Sequence, residues 1–232
     1  MNENFNYVQS PSAGMANKVM RRVYVKMLVA MLVTAVTSIY VSGSETILRF
    51  IYGNTFVTWG LIISQIAVVL VLSGRLNKLS VTAATLLFYL YSVLTGVVFS
   101  SILLLYTASS VGMTFLITAG VFAAMSIYGF TTSNDLTKFG SIMFMALIGL
   151  IICSVVNIFL KSSGMEWIIS LAGVAIFIGL TAWDTQKIKN AAMYAPDGTS
   201  AEKLATIGAL SLYLDFVNLF IYLLRFFGGS RD

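Results

Sequence analysis

The chain has 232 residues, of which 58% are hydrophobic and only 10% are charged. About a quarter of the residues of a soluble domain are charged, so this composition cannot cover a water-facing surface. The apolar runs are continuous and about twenty residues long, which is typical of membrane-spanning helices and not of the alternating strands of a β-barrel. The composition therefore predicts an all-α integral membrane protein that has the lipid bilayer as its main partner.

The net charge of +5 does not indicate a nucleic-acid partner, because the basic residues lie at the ends of the apolar runs. Membrane orientation explains basic residues in those places. The chain contains no histidine, which removes a common metal ligand, general base and pH switch. Its single cysteine, Cys153, lies inside an apolar run and is interpreted as a packing residue. We expect no bound cofactor.

The chain divides into a membrane domain and two short tails. Residues 1–22 are predicted to form a flexible polar cytoplasmic tail, residues 23–228 the membrane domain, and residues 229–232 a short C-terminal tail. We expect no secretory signal peptide, since Arg21 and Arg22 precede an apolar stretch of full membrane length. Seven spans are predicted, at residues 23–41, 55–73, 81–104, 111–130, 139–160, 167–184 and 205–227.

The lysine and arginine residues predict the orientation of these spans. With seven spans, one side of the membrane carries ten of the 14 basic residues and the other carries four. This bias predicts a cytoplasmic N-terminus and an external C-terminus. The short loops favour a bacterial inner membrane. The joint between the third and fourth spans contains no charge, so its position depends on Thr107, Ser109 and Ser110.

Two acidic residues in the last two spans are the strongest functional candidates. Asp215 lies about ten residues into the seventh span and therefore about 15 Å deep. A charged residue at that depth costs about 2.5–3.5 kcal/mol on insertion scales, so it is expected to have a function. Asp184 closes the sixth span. Because one loop joins these two spans, they are predicted to be antiparallel neighbours, and their acids could face each other.

Two carboxylates that lie close together in a medium of low dielectric constant cannot both be ionised cheaply. We expect the aspartate pair, Asp184 and Asp215, to share a proton and to titrate as one unit. A shared proton would tie the two helices together, and its loss would set like charges against each other. The alternative is that Asp184 is an interfacial residue and that Asp215 forms a hydrogen bond in helix packing.

Three further polar residues have candidate roles. Arg75 ends the second span on the side where the sixth span ends, so it could form an ion pair with Asp184. The sequence alone favours an ordinary membrane anchor for Arg75, and Lys26 is interpreted in the same way. Asn218, one turn after Asp215, could donate a hydrogen bond across helices.

Three segments resemble those of one family. The segments SLYLDFVNLFIYLLRFFG and WDTQKI, together with YSVLTGVVFSSI after the basic stretch GRLNKLS, are similar to spans of the Bax inhibitor-1 family, the transmembrane Bax inhibitor motif proteins. The resemblance covers the chain beyond the polar tail in length and span order, and it suits a bacterial-type member. It implies seven helices, six of them surrounding a central C-terminal helix.

The same resemblance implies a calcium leak that is gated by protonation of an aspartate pair, at the positions of Asp184 and Asp215. It also implies that Arg75 occupies the place of a basic residue that pairs with the sixth-span acid. Some relatives carry an acid in the second span, where this chain has Ser64 and Gln65. Calcium and protons would then be the ions that are transported or sensed.

Carboxylate oxygens are suitable ligands for calcium, but two carboxylates are too few to form a tight binding site. The pair therefore favours weak binding and passage of the cation over storage. Gly96, Ser100 and Ser101 would allow the close helix packing that closes a pore.

A non-conducting regulator of a partner membrane protein, for example a membrane protease, remains an alternative. An intramembrane aspartyl protease is less favoured, since that family's glycine-x-glycine-aspartate signature is replaced by LYLD here. We therefore expect no enzyme.

Overall fold

The structure is a computed structural model that describes residues 12–196 and 198–229, without the side chain of Asn77. The regular structure of this part of the chain is helical. A short 3₁₀ turn, Leu76–Lys78, follows the third helix. The α-helices are α1 (Ala13–Ser42), α2 (Glu45–Tyr52), α3 (Thr55–Arg75), α4 (Val81–Leu105), α5 (Ala108–Thr131), α6 (Thr137–Leu160), α7 (Ser163–Met193) and α8 (Thr199–Phe227).

Seven of these helices are long and apolar enough to cross a membrane, namely all except α2. The predicted all-α fold with seven spans is therefore confirmed. The spans lie within a few residues of their predicted positions, except at the start of α1, the end of α7 and the start of α8, where the helices are longer. These three extensions lie together, since the backbone N–H of Ser12 donates to the carbonyl of Met193 at 3.1 Å.

The start of α1 corrects the predicted tail. The helix begins at Ala13, because the Ser12 hydroxyl accepts a hydrogen bond from the backbone N–H of Met15 and caps it. Residues 13–22 are thus helical and not a flexible tail, and their buried face includes Val19 and Met20. Residues 1–11 lie outside the described residues.

The sequence did not predict α2. This helix of eight residues lies between α1 and α3, with Glu45 in its first turn and Arg49 in its last, an arrangement that suits the helix dipole. The Tyr52 hydroxyl donates to the carbonyl of Val97 at 3.0 Å, which ties the end of α2 to α4. Eight residues are too few for a periodic pattern that stands out from the flanking spans.

The last helix, α8, is the centre of the bundle. In its most apolar window 67% of the residues are buried, compared with 6% in α6. Helices α1, α4, α5 and α7 pack directly against α8, whereas α3 packs mainly on α4 and α6 on α7. A central C-terminal helix is therefore confirmed, with α3 and α6 at the periphery.

The uncharged joint between α4 and α5 is fixed by Thr107. Its hydroxyl accepts from the backbone N–H of Ser110 and caps α5. The same joint binds the end of the chain, because Thr107 N–H donates to the carbonyl of Gly229 at 3.2 Å and Gly229 N–H donates to Ser110 Oγ at 3.0 Å. Of the predicted C-terminal tail 229–232, the first residue is thus bound, and residues 230–232 lie outside the described residues.

Candidate functional site

Asp215 lies on the central helix at the middle of the bundle. It is twelve residues before the end of α8 at Phe227 and therefore about 18 Å from that end. Only 5% of the residue is exposed. Its Oδ2 atom is buried and has no hydrogen-bond partner among the described residues. A carboxyl oxygen without a partner is costly in a protein interior and is a typical feature of a functional site.

Asp184 lies on α7, close to Asp215. Helices α7 and α8 are antiparallel, with Gly173 against the ring of Tyr222 and Gly208 against Ile188. This alignment places the two acids about one helical turn apart along the helix axes, roughly 4.5–6 Å. Asp184 and Asp215 are close enough to interact electrostatically. The two residues that the sequence predicts to face each other thus lie together at the α7–α8 interface.

Small residues let neighbouring helices approach α7 on both sides of Asp184. Gly129 of α5 lies against the backbone of Ala182, and Gly140 of α6 lies against the ring of Trp183, so that neither position has room for a Cβ atom. The Thr185 hydroxyl lies 3.5 Å from Ser126 of α5. The segment of α7 that carries the acid is therefore held between α5 and α6.

Gln186 connects the same segment to the α5–α6 loop. Its Oε1 accepts from the backbone N–H of Leu136 at 2.8 Å, and its Nε2 donates to the carbonyl of Asn134 at 2.7 Å. Lys189 Nζ donates to the carbonyl of Phe130 at 2.7 Å. No role for Gln186 and Lys189 can be predicted from the sequence, because the residues around WDTQKI give their spacing and not the loop that they bind.

Arg75 does not contact Asp184 in this structure. It is exposed at the end of α3, a helix that packs mainly on α4. Lys187, three residues later on α7, is the basic residue nearest to Asp184 along the chain. Lys187 also lies over the ring of Trp183, with Nζ 4.8 Å from the ring centroid. The ion pair that Arg75 could have formed with Asp184 is therefore absent, since the peripheral position of α3 keeps Arg75 on the surface, where the membrane anchor favoured by the sequence would lie.

Asn218 bonds within its own helix. Its Nδ2 donates to the carbonyl of Leu214, one turn back on α8, at 2.8 Å. The hydrogen bond across helices that the sequence suggested is not formed by the described residues. A backbone carbonyl one turn away is the nearest acceptor for a side chain that points along its own helix.

Lys26 is part of a charged cluster and not a simple anchor. Its Nζ lies 2.8 Å from Glu202 Oε1 and donates to the hydroxyls of Thr85 and Thr206, both at 3.1 Å. Arg22 contacts the other oxygen of Glu202 at 3.0 Å. This cluster ties α8 to α1 and α4.

A polar group and a cavity lie next to the aspartate pair. The Tyr213 hydroxyl lies 2.6 Å from Thr34 Oγ1, which also donates to the carbonyl of Ser92 at 3.0 Å. A cavity of about 110 Å³ lies between α1, α4, α5 and α8, on the side of Asp215 toward the C-terminal end of α8. Its polar lining comes from Thr34, Ser38 and Tyr213.

Gly96 brings α4 close to α1 beside this cavity. A Cβ atom at Gly96 would lie 2.6 Å from Thr37 Cβ and 2.7 Å from the carbonyl oxygen of Thr34. The Ser100 hydroxyl donates to the carbonyl of Val97 on its own helix at 2.6 Å, and Ser101 bonds in the same way to Val98 at 2.8 Å. These small residues allow the two helices to pack closely at the outer half of the bundle.

Over residues 12–196 and 198–229, no group of three or more His, Cys, Asp or Glu side chains could hold a metal ion. The aspartate pair offers at most four carboxylate oxygens, whereas calcium takes six to eight oxygen ligands. The arrangement can hold a proton between two carboxyl groups, or it can contact a partly hydrated cation.

Taken together, the fold and the site define a class: a multi-pass helical membrane protein with a pair of acids at the central helix of its bundle. The sequence profile described as "Inhibitor of apoptosis-promoting Bax1" matches residues 16–232. The chain belongs to the Bax inhibitor-1 family.

Relatives in several bacteria match over most of the chain. The inner membrane protein YbhL of Escherichia coli strain K12 is 46% identical over 226 residues, which cover 97% of this chain and 96% of YbhL. An uncharacterised protein of Borreliella burgdorferi is 46% identical over 217 residues, 93% of this chain and 94% of the relative. One from Rickettsia prowazekii is 43% identical over 213 residues, 92% and 90% of the two chains.

Proposed function

We propose that this protein is a pH-sensitive calcium leak channel of a bacterial inner membrane, gated by the aspartate pair on α7 and α8. The observation that carries the proposal is the buried Oδ2 of Asp215, which has no hydrogen-bond partner among the described residues and lies within reach of the charge on Asp184. The family resemblance supports the same assignment.

The pair acts as a latch between its two helices. When one proton is shared by the two carboxyl groups, a short hydrogen bond holds α7 against α8. When both groups lose their protons, two like charges lie about one helical turn apart in a medium of low dielectric constant, and α7 and α8 repel each other there. Because α8 is the central helix, its displacement changes its packing against α1, α4 and α5 as well.

The proposed path for the ion follows the few polar groups at the core. Tyr213 lies two residues before Asp215 on α8, about 3 Å away along the helix axis and on a different face, and the 110 Å³ cavity lies on the Tyr213 side of the helix. The lining of that cavity is mainly apolar, with polar contributions from Thr34, Ser38 and Tyr213. A path with few ligands and an apolar stretch suits slow leakage rather than tight binding, since a cation that meets few oxygens keeps most of its water.

Arg75 has a role in this proposal only in a second conformation. It is exposed in the present structure, at the end of a helix that packs mainly on α4. If α3 moves toward α7 during gating, Arg75 becomes the partner of Asp184 and keeps it ionised.

Two alternatives make different demands on the site. A non-conducting regulator of a partner membrane protein would bind through its loops and would not need an acid in the core. An intramembrane aspartyl protease needs room for a peptide at both acids, but Asp215 is only 5% exposed and is preceded by Leu212, Tyr213 and Leu214 in place of the glycine signature. The protease is therefore the weaker alternative.

The proposal is tested by calcium flux into dye-loaded proteoliposomes between about pH 5 and about pH 9. We expect wild-type protein to conduct with a flux that depends on pH. Asp184→Asn and Asp215→Asn replace one carboxyl with a neutral group of the same shape, so repulsion within the pair cannot develop at any pH. Each variant is therefore expected to show, across the range, the flux that wild-type protein has at its acid end.

Asp135→Asn is the matched control. Asp135 lies in the α5–α6 loop, where hydrogen bonds from the hydroxyl and the backbone N–H of Thr137 hold the pKa of its carboxyl below the ordinary value. It therefore remains ionised throughout the titration, and its variant should keep the wild-type pH profile. If folded wild-type protein moves no calcium at any pH, the channel is excluded and the regulator becomes the favoured function.

A further inference from the structure

A groove between α1 and α5 opens at the cytoplasmic end of the bundle. The two helices lie side by side there without close packing, and the gap has a volume of about 530 Å³. Its walls are almost entirely apolar. They include Met20 and Tyr24 of α1 and Phe122, Ala123, Ile127 and Phe130 of α5.

Arg21 stands at the polar end of this groove. It lines the groove together with Asn17 and Thr131, and it also lines a second depression of about 380 Å³ with Arg22, Lys26 and Glu202. Both oxygens of Glu202 are already engaged, one by Arg22 and one by Lys26. Arg21 is exposed and has no carboxylate partner among the described residues. The three basic residues of this depression, Arg21, Arg22 and Lys26, therefore outnumber its one acid, Glu202, and leave an excess of positive charge beside the apolar groove.

The dimensions of the groove suit one lipid chain. From Phe122 to Thr131 it follows α5 for about 14 Å, close to the roughly 15 Å of hydrocarbon in one leaflet. Arg21 lies next to the predicted start of the first membrane span, which is the level of the lipid head groups. A chain in the groove would therefore extend toward the bilayer centre with its phosphate beside the guanidinium group.

We propose that this groove is a binding site for an anionic glycerophospholipid, with one acyl chain between α1 and α5 and the phosphate bound by Arg21 and flanked by Arg22. An arginine guanidinium binds phosphate oxygens through two parallel hydrogen bonds, which a weakly bound annular lipid would not receive. The site does not depend on the proposed calcium leak, and its test needs no flux measurement.

The groove adjoins the segment that carries Asp184. Ser126 lines the groove from α5, and its hydroxyl lies 3.5 Å from that of Thr185 on α7. A bound acyl chain would thus cover the α5–α7 contact from the bilayer side and would change the packing next to the acid.

The test is photolabelling in proteoliposomes of roughly one part phosphatidylglycerol to three parts phosphatidylcholine. Either lipid carries a diazirine on one acyl chain, and labelled peptides are identified by mass spectrometry. We expect the phosphatidylglycerol probe to concentrate on residues 17–24 and 122–131, and the phosphatidylcholine probe to label lipid-facing surfaces without that preference. Arg21→Gln should lower groove labelling by phosphatidylglycerol about fivefold, the effect of one basic residue at a membrane surface.

Two matched pairs of variants distinguish loss of the lipid site from a general effect of losing an arginine or adding a tryptophan. Arg75→Gln removes an exposed arginine elsewhere and should leave groove labelling unchanged. Ala123→Trp places an indole in the groove and should block the chain, whereas Ala124→Trp adds the same group at an exposed neighbour that does not line the groove. All four positions are exposed, so the variants should keep the fold, and circular dichroism verifies this.

Equal labelling of the groove by both probes, or wild-type labelling in both Arg21→Gln and Ala123→Trp, overturns the site. Groove labelling that appears only after deletion of residues 2–11 also overturns it, because the occupant would then be the chain's own N-terminal segment.

Discussion

Asp215 is a carboxylic acid at the centre of a helix bundle, and its Oδ2 atom has no hydrogen-bond partner in the described part of the chain. Most buried polar atoms in proteins are hydrogen-bonded, so an exception calls for an explanation. The nearby groups of α8 do not supply one, since Asn218 bonds to Leu214 and Tyr213 to Thr34. The residue therefore carries a cost in stability that function must justify.

The first prediction follows from this cost. At about pH 9, where the proposed latch has lost its shared proton, Asp215→Leu removes the unpartnered carboxyl and fills the position with an apolar side chain, so we expect the protein to become more stable by about 1–3 kcal/mol. Thermal unfolding in detergent micelles measures the change as a rise in Tm. Asp135→Leu, at an exposed loop position, should give no such rise. A fall in Tm for Asp215→Leu at that pH would mean that the carboxyl has a stabilising partner other than the proton shared with Asp184.

At the scale of helices, close packing beside Asp184 depends on Gly129. A Cβ atom there would overlap the backbone of Ala182 on α7, which cannot rotate away as a side chain can. Gly129→Ala should therefore separate α5 from α7 and lower the free energy of unfolding by about 1–3 kcal/mol. Gly120→Ala is the matched control, since a Cβ atom at Gly120 on the same helix meets nothing within 4 Å. Equal Tm values for the two variants would show that α5 and α7 have room to adjust.

The cluster of Lys26 and Glu202 gives a second prediction about helix contacts. The Lys26 side chain is 13% exposed, so removing its counter-charge by Glu202→Gln leaves a largely buried cation. We expect a loss of about 1–3 kcal/mol, measured by thermal unfolding. Lys26→Met in the same chain should recover part of that loss, because the two substitutions act on one interaction.

Glu45→Gln is the control for this effect. It breaks the ion pair with Arg49 within α2, whose two side chains are 79% and 78% exposed. Exposed pairs of this kind contribute about 0.5 kcal/mol or less. If Glu202→Gln and Glu45→Gln have the same small effect, the cluster does not hold α8 to α1.

The helices with about twenty apolar residues could be predicted from the sequence, whereas contacts between helices could not. Asp184 and Asp215 could be recognised because an acid in an apolar run is unusual in any arrangement of the helices. The partner of Lys26 lies 176 positions away, and Gln186 binds backbone atoms, so no local pattern indicates either contact. Arg75 was a candidate partner of Asp184 because the second and sixth spans end on the same side of the membrane. The order of the spans gives the depth of each residue in the membrane, but it does not give the position of each helix around the bundle.

At the scale of the whole molecule, the N-terminal end of α1 and the α7–α8 connection lie at one end of the bundle, and Gly229 lies at the other with the α4–α5 joint. The charge bias predicts that the first of these ends is cytoplasmic. Alkaline phosphatase fused to the C-terminus should therefore be active, and green fluorescent protein fused there should be dark. The opposite result would reverse the orientation, and with it the side from which Arg21 meets lipid.

The burial of α8 also has a consequence for biogenesis. The most buried helix is the last of the described helices to leave the ribosome, so α1 to α7 must enter the bilayer before the helix that fills their centre exists. Until then the hydroxyl of Thr34 lacks its partner on Tyr213, and Lys26 lacks Glu202. A nascent chain that stalls before Thr199 would thus display polar groups to lipid, which would make it a ready substrate for the proteases that clear unassembled membrane proteins.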